Sequence, residues 1–169
     1  ADVRIARLNI AEILPEVPLY NLTMAINAKG RGLNIFNEVT GYIIEANIDT
    51  LNYSGYKLRA ISAEAKQSNG ISVIEVKGND NNLRFDMQAT TKLKAGALEN
   101  NTTIKLAQAD FKSLGITNAE LNTSTQIDIA ATSDLNETHT LKLVGKNTGI
   151  TTNQHSFTPE DLELEFATT

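Results

Sequence analysis

The chain has 169 residues, of which 41% are hydrophobic and 21% charged, with a net charge of −5 and no cysteine. This composition is ordinary for a folded chain long enough to bury a core, and it excludes disulfides, Cys-ligated zinc and thiol chemistry. There is no run of Lys or Arg, and four Tyr and five Phe are the whole aromatic complement. Neither a phosphate-tracking stripe nor a base-stacking platform is written here, so nucleic acid is not an expected partner.

In chain order, alternation begins at once in Val3-Arg4-Ile5-Ala6-Arg7-Leu8, the period-two pattern of a strand with one wet and one greasy face. Asn9 is placed to cap a short helix over Ile10–Leu14 that Pro15 ends. Leu22, Met24, Ile26 and Ala28 then alternate with Asn21, Thr23, Ala25 and Asn27 before the turn residues Gly30-Arg31-Gly32. Tyr42, Ile44, Ala46 and Ile48 alternate with Ile43, Glu45, Asn47 and Asp49 up to Ser54-Gly55. Asn69-Gly70, between the strands Ile61–Lys66 and Ile71–Lys77, is a strong hairpin signal. The Asn-rich run Gly78–Asn82 returns the chain through Leu83, Phe85, Met87 and Ala89, and the result is a meander.

The pattern then repeats. Ile104-Lys105-Leu106-Ala107 stands 101 positions after Val3-Arg4-Ile5-Ala6, and the segment from Phe157 to Phe166 lines up at the same offset with that from Tyr56 to Ala65. This divides the chain into a first unit, 1–101, and a second, incomplete unit, 102–169, forming one array. Asp110 is placed to cap a second short helix over Phe111–Leu114, which Gly115 closes in a left-handed conformation. Ile127, Ile129 and Ala131, then Leu141 and Leu143, then Leu162, Leu164 and Phe166 complete the strand faces. Helices this short need a surface to dock on.

No motif for catalysis accompanies these strands. His139 and His155 lie in turn-like or strand-edge contexts without ligand spacing. Asn79-Asp80-Asn81-Asn82 lacks the glutamate an EF-hand loop requires and reads as a hairpin turn. Gly30-Arg31-Gly32 lacks the third glycine and the strand–helix context of a dinucleotide loop, and no GxSxG occurs. The expectation is a protein that is not an enzyme and needs no cofactor or metal.

No stretch approaches the ~20 apolar residues of a membrane span, and no signal peptide is visible. Strand pattern runs close to both Ala1 and Thr169, which reads as a piece of a longer protein.

The residues also carry a family resemblance. The stretch from Val3 to Pro15, the segment Leu22–Gly32 and the run Gly41-Tyr42-Ile43-Ile44-Glu45-Ala46-Asn47-Ile48 resemble recurring phrases of the TamB branch of the AsmA-like superfamily. Ala109-Asp110-Phe111-Lys112-Ser113-Leu114-Gly115-Ile116-Thr117 looks like a phrase of TamB-like proteins from Bacteroidetes, there followed by the strand pair that Gln126–Ala131 and Leu141–Gly145 would form. The resemblance spans nearly the whole chain, through patterned repeats and not catalytic signatures. It implies a segment of a long envelope protein of a diderm bacterium, anchored in the inner membrane and crossing the periplasm. Such repeats fold a sheet lengthwise into an open, U-shaped "β-taco" with an apolar lumen. They are linked to phospholipid transport or to outer-membrane protein assembly with an Omp85-type barrel. The N-terminal anchor and the barrel-engaging C-terminal module are not in this sequence, so a barrel partner would be met by other parts of the whole protein.

The resulting expectation is an all-β, elongated, curved antiparallel sheet forming an open groove, with two short docked helices. Its function would be to shield phospholipid acyl chains on the way between inner and outer membranes. The expected lining is Leu22, Met24, Ile26, Tyr42, Ile44, Ile48, Leu83, Phe85, Met87, Ile127, Ile129, Leu141, Leu143, Leu162, Leu164 and Phe166. Two alternatives stand beside it: a strand-binding chaperone for outer-membrane proteins, and a passive structural repeat with a closed sandwich core. Exposed sheet edges also allow edge-to-edge self-association of the fragment.

Overall fold

The computed structural model describes residues 1–12, 19–32, 39–53, 56–94 and 96–168. Its strands are β1 (Asp2–Leu8), β2 (Leu19–Arg31), β3 (Gly41–Tyr53), β4 (Tyr56–Ser68), β5 (Ile71–Asn79), β6 (Leu83–Lys94), β7 (Ala97–Asp110), β8 (Leu121–Ser133), β9 (His139–Thr152), β10 (Ser156–Phe157) and β11 (Leu162–Thr168). They form one antiparallel sheet in strict sequence order from β1 to β9, and both β10 and β11 pair with β9. No strand pairing joins the two ends among the described residues, so the sheet is not closed into a barrel. A U-shaped cross-section belongs to the functional proposal below.

Local chemistry accounts for the meander. Asn69 and Gly70 both adopt positive φ, 51° and 73°, and turn β4 into β5, as a two-residue hairpin requires. At the next hairpin Asp80, only 8% exposed, accepts from the Tyr56 hydroxyl at 2.6 Å, the Arg59 N–H at 3.1 Å and the Asn82 N–H at 2.9 Å. One carboxylate thereby ties the β5–β6 turn to the start of β4. Burial, and then the bond to Asp80, raise the Tyr56 phenol above its ordinary pKa. Asp80→Ala leaves these donors unmatched and is expected to cost about 1–3 kcal/mol, measured as the urea midpoint at unchanged m-value.

Neither expected helix is an α-helix among the described residues. The first is a three-residue 3-10 turn, Ile10–Glu12, in which the Asn9 side chain donates to the Glu12 carboxylate at 2.8 Å and does not cap backbone. Ile13 and Leu14, the rest of that expected helix, lie outside the described residues. At the second, Asp110 does cap, accepting from the Ser113 N–H and hydroxyl. The Ile116 N–H donates to the Phe111 carbonyl and the Gly115 N–H to the Lys112 carbonyl, with Gly115 at φ 70°. This is a Schellman closure placed so soon after the cap that one turn forms and no helix propagates.

The alignment at 101 residues has a structural counterpart. β1 slips register between Ile5 and Leu8, opposite Met24 and Leu22. β7 slips between Leu106 and Ala109, opposite Thr125 and Thr123, each 101 residues on. The match fails at the far end: β4 is continuous, whereas its counterpart is broken into β10 and β11. Pro159 stands in the break, where it removes a ladder N–H and fixes φ.

Among the described residues no second layer covers the sheet. A compact protein of 18.4 kDa exposes about 8,200 Å², whereas this chain exposes 11223 Å². The only buried apolar side chains among the described residues are Leu22, Ala89, Leu93 and Ala109.

Candidate functional site

Pairing register sorts the side chains. Residues directly opposite on neighbouring strands share a face, so one row can be followed across the molecule. Starting in β1, it reads Val3, Ile26, Ala46, Ala63, Val76, Met87, Ile104, Ile127, Gly145 and Leu162. Every member is apolar or glycine. At about 4.8 Å per strand the row is roughly 43 Å long.

Parallel rows on the same face extend it. One contains Met24, Ile48, Ile61, Gly78, Phe85 and Leu106. Another contains Ala28, Ile44, Ala65, Ile74, Ala89, Thr102, Ile129, Leu143 and Leu164. The face becomes polar toward one margin, where Tyr42 is followed by Gln67, Ser72, Thr91 and Asn100 before Ala131, Leu141 and Phe166.

The residues expected to line a groove all fall on this face. Leu83 begins β6 opposite the buried Ala109, and Leu22 is buried opposite Leu8. Ile44, Leu141, Leu162, Leu164 and Phe166 are exposed. The register adds members that the sequence did not single out: Val3, Ile5, Ile61, Ile74, Val76, Ile104 and Leu106. β5 hid its contribution because Ile71 and Val73 point one way and Ile74 and Val76 the other, so alternation alone does not choose between them. β4 hid its own because Ala63 and Ala65 are too small to mark a face.

Gly78 has a particular place in the face. The Phe85 ring lies over it so closely that a Cβ would enter the ring. This is an aromatic side chain covering the gap left by a cross-strand glycine.

The opposite face is polar. The row behind the apolar one reads Asp2, Asn27, Glu45, Glu64, Glu75, Gln88, Thr103, Asp128, Val144 and Glu163. Three directly opposed glutamates repel, and Lys66 answers them. It pairs with Glu64 at 2.5 Å, and that bond, with the fields of Glu64, Glu75 and Glu45, raises the Lys66 pKa. Asp128 is held at a pKa of about 2, first by its bond to Lys146, then by Gln126 and Thr103. Lys142 pairs with Glu163 at 2.5 Å across β9 and β11. Such exposed pairs contribute little individually, but together they make a face suited to water.

His139 shares a hydrogen bond with Ser133 at 2.9 Å across the β8–β9 turn, and His155 uses its backbone carbonyl to accept from the Thr152 N–H. No three His, Cys, Asp or Glu side chains among the described residues are grouped to hold a metal. Among the described residues no helix is long and apolar enough to cross a membrane.

Fold and faces together define a class: an open, single-layer antiparallel sheet, amphipathic across its thickness. Comparison with family models, with curated proteins and with solved structures finds no match for this chain.

Proposed function

We propose that the apolar face carries lipid acyl chains, in a segment of a periplasmic bridge that moves phospholipid between the inner and outer membranes. The observation that carries the reading is the unbroken apolar row through every strand from β1 to β9 and on into β11, with no second layer over it among the described residues. An apolar surface of this extent in water calls for an apolar partner. Each acyl CH₂ buried against it gains roughly 0.8 kcal/mol. Because these contacts are non-directional, a chain can slide along the row without one deep trap, its head group staying in water at the margin. The sheet curves around the chain into a U-shaped trough. The resemblance to TamB-like repeats supports the same reading and supplies the envelope setting.

The test is photo-crosslinking in cells grown on radiolabelled phosphate. Crosslinkers at Ile44, Phe85 and Ile129 sit on the apolar face, and at Glu45, Asp86 and Asp128 on the polar one. Phosphate-bearing adducts confined to the first set are expected. Protein adducts there would replace lipid by an unfolded client, and no adducts at all would return the face to a structural role.

A further inference from the structure

We propose that copies of this chain join head to tail, β11 of one pairing with β1 of the next. The register sets Leu164 opposite Ile5, Glu165 opposite Arg4 and Phe166 opposite Val3. Among the described residues β1 pairs only with β2, and β11 only with β9. Both present exposed apolar residues, Val3 at 46%, Leu164 at 41% and Phe166 at 58%.

The chain itself shows what β1 accepts on its outer side. β7 is its counterpart 101 residues on, with the register slip in the same place. On β7 the outer position is filled by β6, whose Phe85-Asp86-Met87 lies opposite Leu106-Lys105-Ile104. The counterparts of Leu106, Lys105 and Ile104 are Ile5, Arg4 and Val3. β11 offers the same apolar–acidic–apolar triplet as β6, in Leu164-Glu165-Phe166.

Direction and charge agree. Successive strands alternate in direction, so β11 runs opposite to β9 and hence to β1. A translated copy therefore meets β11 with an antiparallel β1, and the apolar faces continue on the same side. The free edge of β1 carries Arg4 and Arg7, that of β11 Glu163 and Glu165. Slipping two residues one way sets Glu165 against Asp2. Slipping two the other way leaves Arg4 opposite Ala167. In the first of these slips Arg4 meets Glu163 but two acids are opposed. The proposed register alone matches Arg4 with an acid while opposing no like charges, which are unfavourable when directly opposite. Because the contact is heterologous, association does not close at a dimer.

Sedimentation equilibrium tests this. The mass of the unmodified chain is expected to rise with concentration from 18.4 kDa past the dimer without a plateau. Arg4→Glu alone and Glu165→Arg alone should each raise the concentration for half-association at least tenfold. Mixing the two variants should restore it, since each supplies the edge the other spoils. Both positions are exposed, and circular dichroism checks that each variant keeps its sheet. The proposal is overturned by an unmodified chain that stays at 18.4 kDa to hundreds of micromolar, by a dimer that saturates, or by a mixture that fails to recover.

Discussion

Ile44→Asp is expected to abolish acyl-chain binding while the same change one residue earlier, Ile43→Asp, leaves it intact. The two side chains are alike, adjacent and similarly exposed, at 36% and 46%. They differ in face: Ile44 stands between Ala28 and Ala65 on the apolar side, and Ile43 between Lys29 and Lys66 on the polar side. A carboxylate at 44 must be desolvated beneath a bound chain and removes contact with two or three methylenes. A loss of about 2 kcal/mol, near thirtyfold in affinity, is a minimum. Stability should fall by only about 1–2 kcal/mol, because Ile44 is incompletely covered and its replacement still reaches water. The readouts are displacement of a fluorescent phospholipid and a urea titration. Equal affinities for the two variants would remove the apolar face from the function. An unfolding cost above about 4 kcal/mol for Ile44→Asp would instead reveal a covered core.

The second large effect is expected at Gly78→Val, in a strand where valine is otherwise favourable. The new side chain would occupy the space of the Phe85 ring and force it off the face. Overpacking of this kind costs about 1–3 kcal/mol. Phe85→Ala, which by itself uncovers Gly78, should relieve the strain. The double variant is then expected to be more stable than the sum of the singles predicts, by about 1 kcal/mol or more. Strict additivity would show that the ring does not depend on the glycine.

Much of this architecture is local chemistry and was legible without coordinates. Period-two alternation placed Met24, Ile26, Ile44, Phe85, Met87, Ile127 and Leu164 on a common face, since successive side chains of a strand point to opposite sides. Asn69-Gly70 announced its hairpin because only residues tolerant of positive φ fit that turn. The repeat announced matching strands at a 101-residue offset, though not that Pro159 would split the last one. The second helix was overread: a cap at Asp110 and a closure at Gly115 are genuine signals, but the four residues between them cannot hold a second turn.

Tertiary structure decided what alternation leaves open. Pairing with β4 and β6, not the residues of β5 themselves, turned Ile74 and Val76 toward the apolar face and Ile71 and Val73 away from it. Pairing likewise made small residues such as Ala46 and Ala63 links in a row that runs from edge to edge. The absence of a covering layer among the described residues was beyond reach of the pattern, because an alternating strand reads the same against a second sheet as against water. Alternation is set by each strand's own backbone; whether its greasy side is covered depends on residues that may lie anywhere in the chain or in another molecule.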